Sequence, residues 1–85
     1  MNTTDRSLTA FGALLRSERL AAGLSLRHLS ALLADEGVQL SPPALLRIEQ
    51  GALRRPSRPE TFAALSTVLG VPMGVWLTSL YPTDQ

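Results

Sequence analysis

From Ser41 to Gly51 the chain reads SPPALLRIEQG. Both ends of this stretch are punctuated. A serine hydroxyl is a good helix cap, and a proline after it loses nothing, because the first turn needs no N–H donor there. Gly51 ends the run, as glycine commonly does just past a helix. Between them Ala44, Leu45 and Ile48 recur at helical spacing. The stretch predicts a third helix that ends at Gln50, with an apolar inner face and Leu46 and Arg47 turned outward.

The preceding sequence has the same character. Val38-Gln39-Leu40 is a short connection, and Asp35-Glu36-Gly37 breaks a second helix over residues 26–34. Ser25 is its expected cap, and Leu26, Leu29 and Leu33 its buried face. Gly23 stops a first helix over 8–22, whose stripe is Leu8, Phe11, Leu15 and Ala22. Arg19 falls on that stripe, and a charge on a core-facing position needs a partner. Residues 1–7 read as a disordered tail. Beyond Gly51, residues 52–56 form a loop. Ser57 and Glu60 then have the spacing of a capping box. A fourth helix runs to Leu69 with Phe62, Leu65 and Leu69 inward, and Gly70 stops it. Pro72 opens a fifth, bearing Val75, Trp76 and Leu77. No stretch alternates as a strand does. The expectation is one compact all-α domain of five helices over 8–80, with a loose tail over 81–85.

Composition narrows the function. The chain has 85 residues and no cysteine, and His28 is its single histidine. Disulfides, thiol catalysis and cysteine- or multi-histidine metal sites are excluded, and a reducing cytoplasm is the expected setting. No apolar run approaches the roughly 18 residues of a membrane span. The opening MNTTDRS lacks the basic and apolar segments of a signal peptide. Net charge is +1, but all eight basic residues are arginines. Four of them, Arg47, Arg54, Arg55 and Arg58, lie between Ser41 and Arg58 with Glu49 as the one acid. A basic stretch on a near-neutral chain points to phosphates; the alternative is a solvated arginine loop.

Gly23-Leu24-Ser25, Leu29-Ser30, Ile48-Glu49-Gln50-Gly51, Pro56-Ser57 and Leu69-Gly70-Val71 form an ordered series that coincides with these helix ends. The series resembles the phage-repressor-like (Cro/cI or Xre-type) helix-turn-helix family across about Phe11 to Leu77. The resemblance implies a lambda-repressor-like fold and DNA binding. It also supplies a partner for Arg19, namely Glu49 at the end of helix three. Two departures stand out. The sequence from Ser30 to Glu49 is about five residues longer than is usual, through Asp35 to Gln39. This resembles the expanded turn of EspR-type regulators. Positions that usually read base edges are occupied here by Pro42 and Pro43.

The resemblance implies that helix three enters the major groove by its N-terminal end, making Ser41, Pro42, Pro43, Ala44 and Arg47 the candidate base contacts. Arginine can fork onto O6 and N7 of guanine; the alternative for Arg47 is a phosphate contact or a solvated side chain. Apolar contact from a proline, alanine or leucine of this helix can read a thymine methyl. Arg54, Arg55 and Arg58 are the candidate phosphate contacts after the helix, with Arg16 and Arg27 as flanking clamps or plain surface charges. Trp76 is assigned to the core. Leu80 and Tyr81 are assigned to a homodimer contact.

An enzyme reading fails. Ser25, His28, Ser30 and Asp35 lie within or beside one short helix and supply neither a pocket nor oxyanion donors. No cofactor, metal or small-molecule effector is evident, and Asp35-Glu36 reads as a helix terminus. The expected function is a cytoplasmic, nucleoid-associated transcriptional regulator that binds double-stranded DNA as a homodimer. The competing reading is a protein-interaction module of antitoxin or anti-regulator type. Pro42, Pro43, Leu46 and Leu53 would then grip a partner.

Overall fold

The computed structural model describes the backbone of residues 3–52 and 58–80 and the side chains of residues 9–52 and 58–79. The chain folds as five helices: α1 (Thr3–Ala21), α2 (Leu26–Asp35), α3 (Pro42–Glu49), α4 (Pro59–Leu69) and α5 (Met73–Leu80). There is no strand among the described residues. The fold is all-α. α1 packs against both α3 and α5, α2 against α3 and α4, and α4 against α5. The apolar stripes meet in one core built from Phe11, Leu15, Leu29, Leu33, Leu45, Ile48, Phe62, Leu65 and Trp76. Phe11 is its hub. Its ring stands edge-on to Phe62 at 5.3 Å and to Trp76 at 5.7 Å between centroids, the geometry that aromatic quadrupoles prefer.

Three helices end in the same way. Leu24 N–H donates to Arg19 O, Val38 N–H to Leu33 O and Ala52 N–H to Arg47 O. Each bond is paired with one that spans fewer residues, from Gly23 N–H to Leu20 O, Gly37 N–H to Ala34 O and Gly51 N–H to Ile48 O. This is the Schellman arrangement, which satisfies the orphan carbonyls of a helix end. Its demand for a left-handed residue falls at Gly51, where φ is +69°. A side chain there would also strike the backbone of Thr9, whose Cα would lie 2.9 Å from the added carbon.

The structure corrects three expectations. α1 begins at Thr3, so residues 3–7 are helical where the sequence predicts a tail. That turn contains no apolar residue to declare a period, while Thr3, Thr4 and Asp5 are residue types that suit a helix start. Ala22 lies past the end of α1 and is exposed, so it is not part of the buried stripe. The N-cap of α4 is Arg58, whose side chain makes no capping bond. The expected capping box with Glu60 is therefore not the start of this helix, and Ser57 itself lies outside the described residues. Pro59 at the first helical position explains the shift, since its fixed backbone angle starts a helix without a cap.

Candidate nucleic-acid interface

α3 is set in place by groups on its inner face. Leu45 and Ile48 enter the core, and Glu49 is buried beside them. Arg19 of α1 meets Glu49 with both prongs of its guanidinium: Nε lies 2.6 Å from Oε2 and Nη2 lies 3.0 Å from Oε1. The third nitrogen, Nη1, donates to Leu24 O at 2.8 Å. One buried side chain thus joins α1, the entry to α2 and the end of α3. The hydrogen bonds to Glu49 hold the Arg19 guanidinium more firmly protonated than an ordinary arginine, against the opposing effect of burial. Beside this pair the α1 and α3 backbones meet at Gly12, which is buried. A side-chain carbon on Gly12 would collide with Ile48 O and stand 2.8 Å from Glu49 O.

The N-terminal end of α3 is fixed separately. Ser41 Oγ accepts the Ala44 N–H at 3.3 Å, and Pro42 and Pro43 fill the first turn. The long connection from α2 is not loose. Val38 is buried against the core, and Ser30 Oγ donates to Leu40 O at 2.6 Å. The six residues 36–41 are pinned at both ends and in the middle.

What remains for solvent is the outer face of α3: Pro43, Leu46, Arg47 and Gln50 are exposed, and Ser41 is exposed at its start. Pro42 and Ala44 are half-buried. They are poorer candidates for base contact than Pro43 and Arg47. Gln50 was not among the expected base contacts, yet it shares the face with Leu46 and Arg47. The three- and four-residue spacings from Pro43 to Leu46, Leu46 to Gln50 and Arg47 to Gln50 carry that signal. No carboxylate lies on this face, because the single acid of α3 turns inward to Arg19.

Cations also begin the neighbouring helices. Arg27 is exposed in the first turn of α2, which carries no acid, and Arg58 is exposed as the N-cap of α4. A positive charge at a helix N-terminus works against the helix dipole, whereas an anion bound there is favoured by it. Arg58 Nη1 lies 4.0 Å from Glu60 Oε2, with both side chains largely in water. Such a pair is weak and leaves the arginine available. Ser25 caps α2 by accepting the His28 N–H at 3.0 Å, and its Oγ lies 3.1 Å from His28 Nδ1. His28 is thus engaged with the cap at an exposed position. Arg16 is exposed on α1. Arg54, Arg55 and Leu53 lie outside the described residues, as do Tyr81 and the Leu80 side chain. Among the described residues no group of three or more His, Cys, Asp or Glu side chains forms a metal site. No described helix is long and apolar enough to cross a membrane.

Five helices, with α2 and α3 joined by a fixed connection and α3 exposing one polar-apolar face, define a helix-turn-helix domain. The family model described as a helix-turn-helix domain matches residues 10–75, and the chain belongs to that family. Its fold is a DNA-binding one, used mainly in regulation. No curated protein and no solved structure matches the chain significantly.

Proposed function

We infer that the protein is a sequence-specific transcriptional regulator that binds double-stranded DNA as a homodimer. α3 enters the major groove, and the arginines after it lie on the phosphates. The carrying observation is the outer face of α3, which presents Arg47 and Gln50 with no acid, on a helix held rigidly from behind. A recognition element needs such a division: one face locked in the protein, the other free for base edges. Arg27 and Arg58 at helix starts supply phosphate contacts, together with Arg16, Arg54 and Arg55. The dimer reading draws on α5. This helix carries no charged residue and exposes Met73, Val75 and Leu77, and we place Leu80 and Tyr81 in the same contact.

Phosphate contacts and base contacts respond differently to salt. Affinity measured against salt concentration, on a preferred duplex and a scrambled one, tests the reading. Arg58→Ala is expected to weaken binding to both duplexes and to shrink the salt slope by about one unit for each phosphate that is no longer neutralised. Arg47→Ala is expected to cost about 1–3 kcal/mol on the preferred duplex and to relax one base position. If no duplex binds at low salt, the reading is wrong, and the exposed Pro43 and Leu46 belong instead to a protein-binding surface.

A further inference from the structure

We propose that Leu46 reads the C5-methyl group of a thymine in the major groove, so that the preferred site carries a thymine beside the base that Arg47 contacts. The proposal rests on the DNA-binding reading above and adds to it a specificity-determining residue. Leu45 and Leu46 are adjacent leucines with opposite fates: Leu45 is fully buried, while Leu46 is 41% exposed and takes no part in the core. Leu46 lies in the middle of the outer face, one turn after Pro43 and one turn before Gln50, with Arg47 next to it.

The chemistry of this face limits which base features it can read. Accepting a hydrogen bond from cytosine N4 is a task for a carboxylate, and Glu49, the acid of α3, is tied to Arg19 behind the helix. Arg47 and Gln50 are the long hydrogen-bonding side chains, suited to guanine and adenine edges respectively. Leu46 and Pro43 offer only apolar surface. The thymine methyl is the apolar feature that the major groove displays. Contact with it removes Leu46 from water at no cost in unpaired polar groups. A protein partner fits this face less well, because the leucine is flanked by an arginine and a glutamine.

The test replaces thymine by 2′-deoxyuridine, which removes the methyl group and leaves the hydrogen-bonding edge unchanged. A preferred duplex is first selected from a random-sequence library with the unaltered chain. Each thymine is then exchanged singly, and affinity is read by fluorescence anisotropy. At one thymine per half-site the exchange is expected to weaken binding about fourfold, the worth of burying one methyl-sized group. Leu46→Ala is expected to bind thymine and deoxyuridine versions of that position equally. It should keep the parent's salt slope on scrambled DNA and a melting midpoint close to the parent's. If no exchange alters the parent's affinity, or if Leu46→Ala still prefers thymine at the same position, the proposal is overturned while DNA binding stands. If no duplex binds at all, both readings fall together.

Discussion

α3 and α5 are both eight residues long and both pack on α1, but they are held by different means. α3 is fixed by direction-dependent bonds: a serine cap, a forked arginine–glutamate pair and a backbone crossing that only glycine admits. α5 is fixed by bulk. Trp76 is fully buried against Phe11, and its indole N–H has no hydrogen-bond partner among the described residues. An apolar contact tolerates small rotations of the helix that carries it, whereas a bidentate pair does not. The helix that presents the outer face with Arg47 is the one whose orientation is set to a few degrees of freedom. The helix without charges is secured and otherwise left smooth.

The largest effects should come from removing each anchor outright. Trp76→Ala is expected to cost about 3–5 kcal/mol, through reduced burial and the cavity left beside Phe11. Glu49→Ala should cost a similar amount, about 3–5 kcal/mol, because it strands the Arg19 charge in the interior. Urea unfolding measures both, and the two anchors then part ways on repair. Adding Arg19→Met to Glu49→Leu should recover most of the loss, since an apolar pair of similar volume replaces a buried ion pair at little cost. Equal losses in the single and double variants would show that the charges are not buried together.

A smaller effect is expected at the crossing. Gly12→Ala must push α1 away from Ile48 O and Glu49 O, at about 1–3 kcal/mol, the range for overpacking. The prediction reverses the ordinary rule that alanine improves a helix interior. A rise in the melting midpoint would show that the two backbones separate freely. The smallest effect sharpens the contrast from the other side. Trp76→Phe is expected to cost less than Trp76→Ala, about 1–2 kcal/mol, because it keeps most of the apolar volume and discards the unpartnered N–H. The conservative change in the other anchor, Arg19→Lys, should cost more than Trp76→Phe, because an ammonium cannot fork onto both Glu49 oxygens while also serving Leu24 O. The same unfolding curves rank them.

Helix ends were legible because their signals are local. Ser25 and Ser41 cap, and Gly23, Gly51 and Gly70 end helices, through the conformations of two or three adjacent residues. The core was legible through spacing, at Phe11, Leu29, Leu45 and Phe62. The start of α1 was not, because residues 3–7 carry no apolar period. Gly12 also escaped: a glycine inside a helix records a close neighbour, and that neighbour, the end of α3, lies more than thirty residues away. Of the candidate interface, the outward places of Pro43, Leu46 and Arg47 on α3 were legible. Gln50 hid inside the helix-ending signal before Gly51, and the half-burial of Pro42 and Ala44 depends on how α3 is tilted by contacts that no single segment encodes.

The pinned connection between α2 and α3 has a thermodynamic consequence. A loop that must be ordered when a ligand arrives charges its forfeited freedom against the affinity, about 1–2 kcal/mol for each residue that is fixed. Here Val38 in the core and the Ser30–Leu40 bond have fixed that segment beforehand, so the cost falls on folding and not on binding. Complex formation through α3 should therefore show little additional entropy loss from the connection. The backbone amide of Val38, bonded to Leu33 O, should exchange its hydrogen only when the domain as a whole opens.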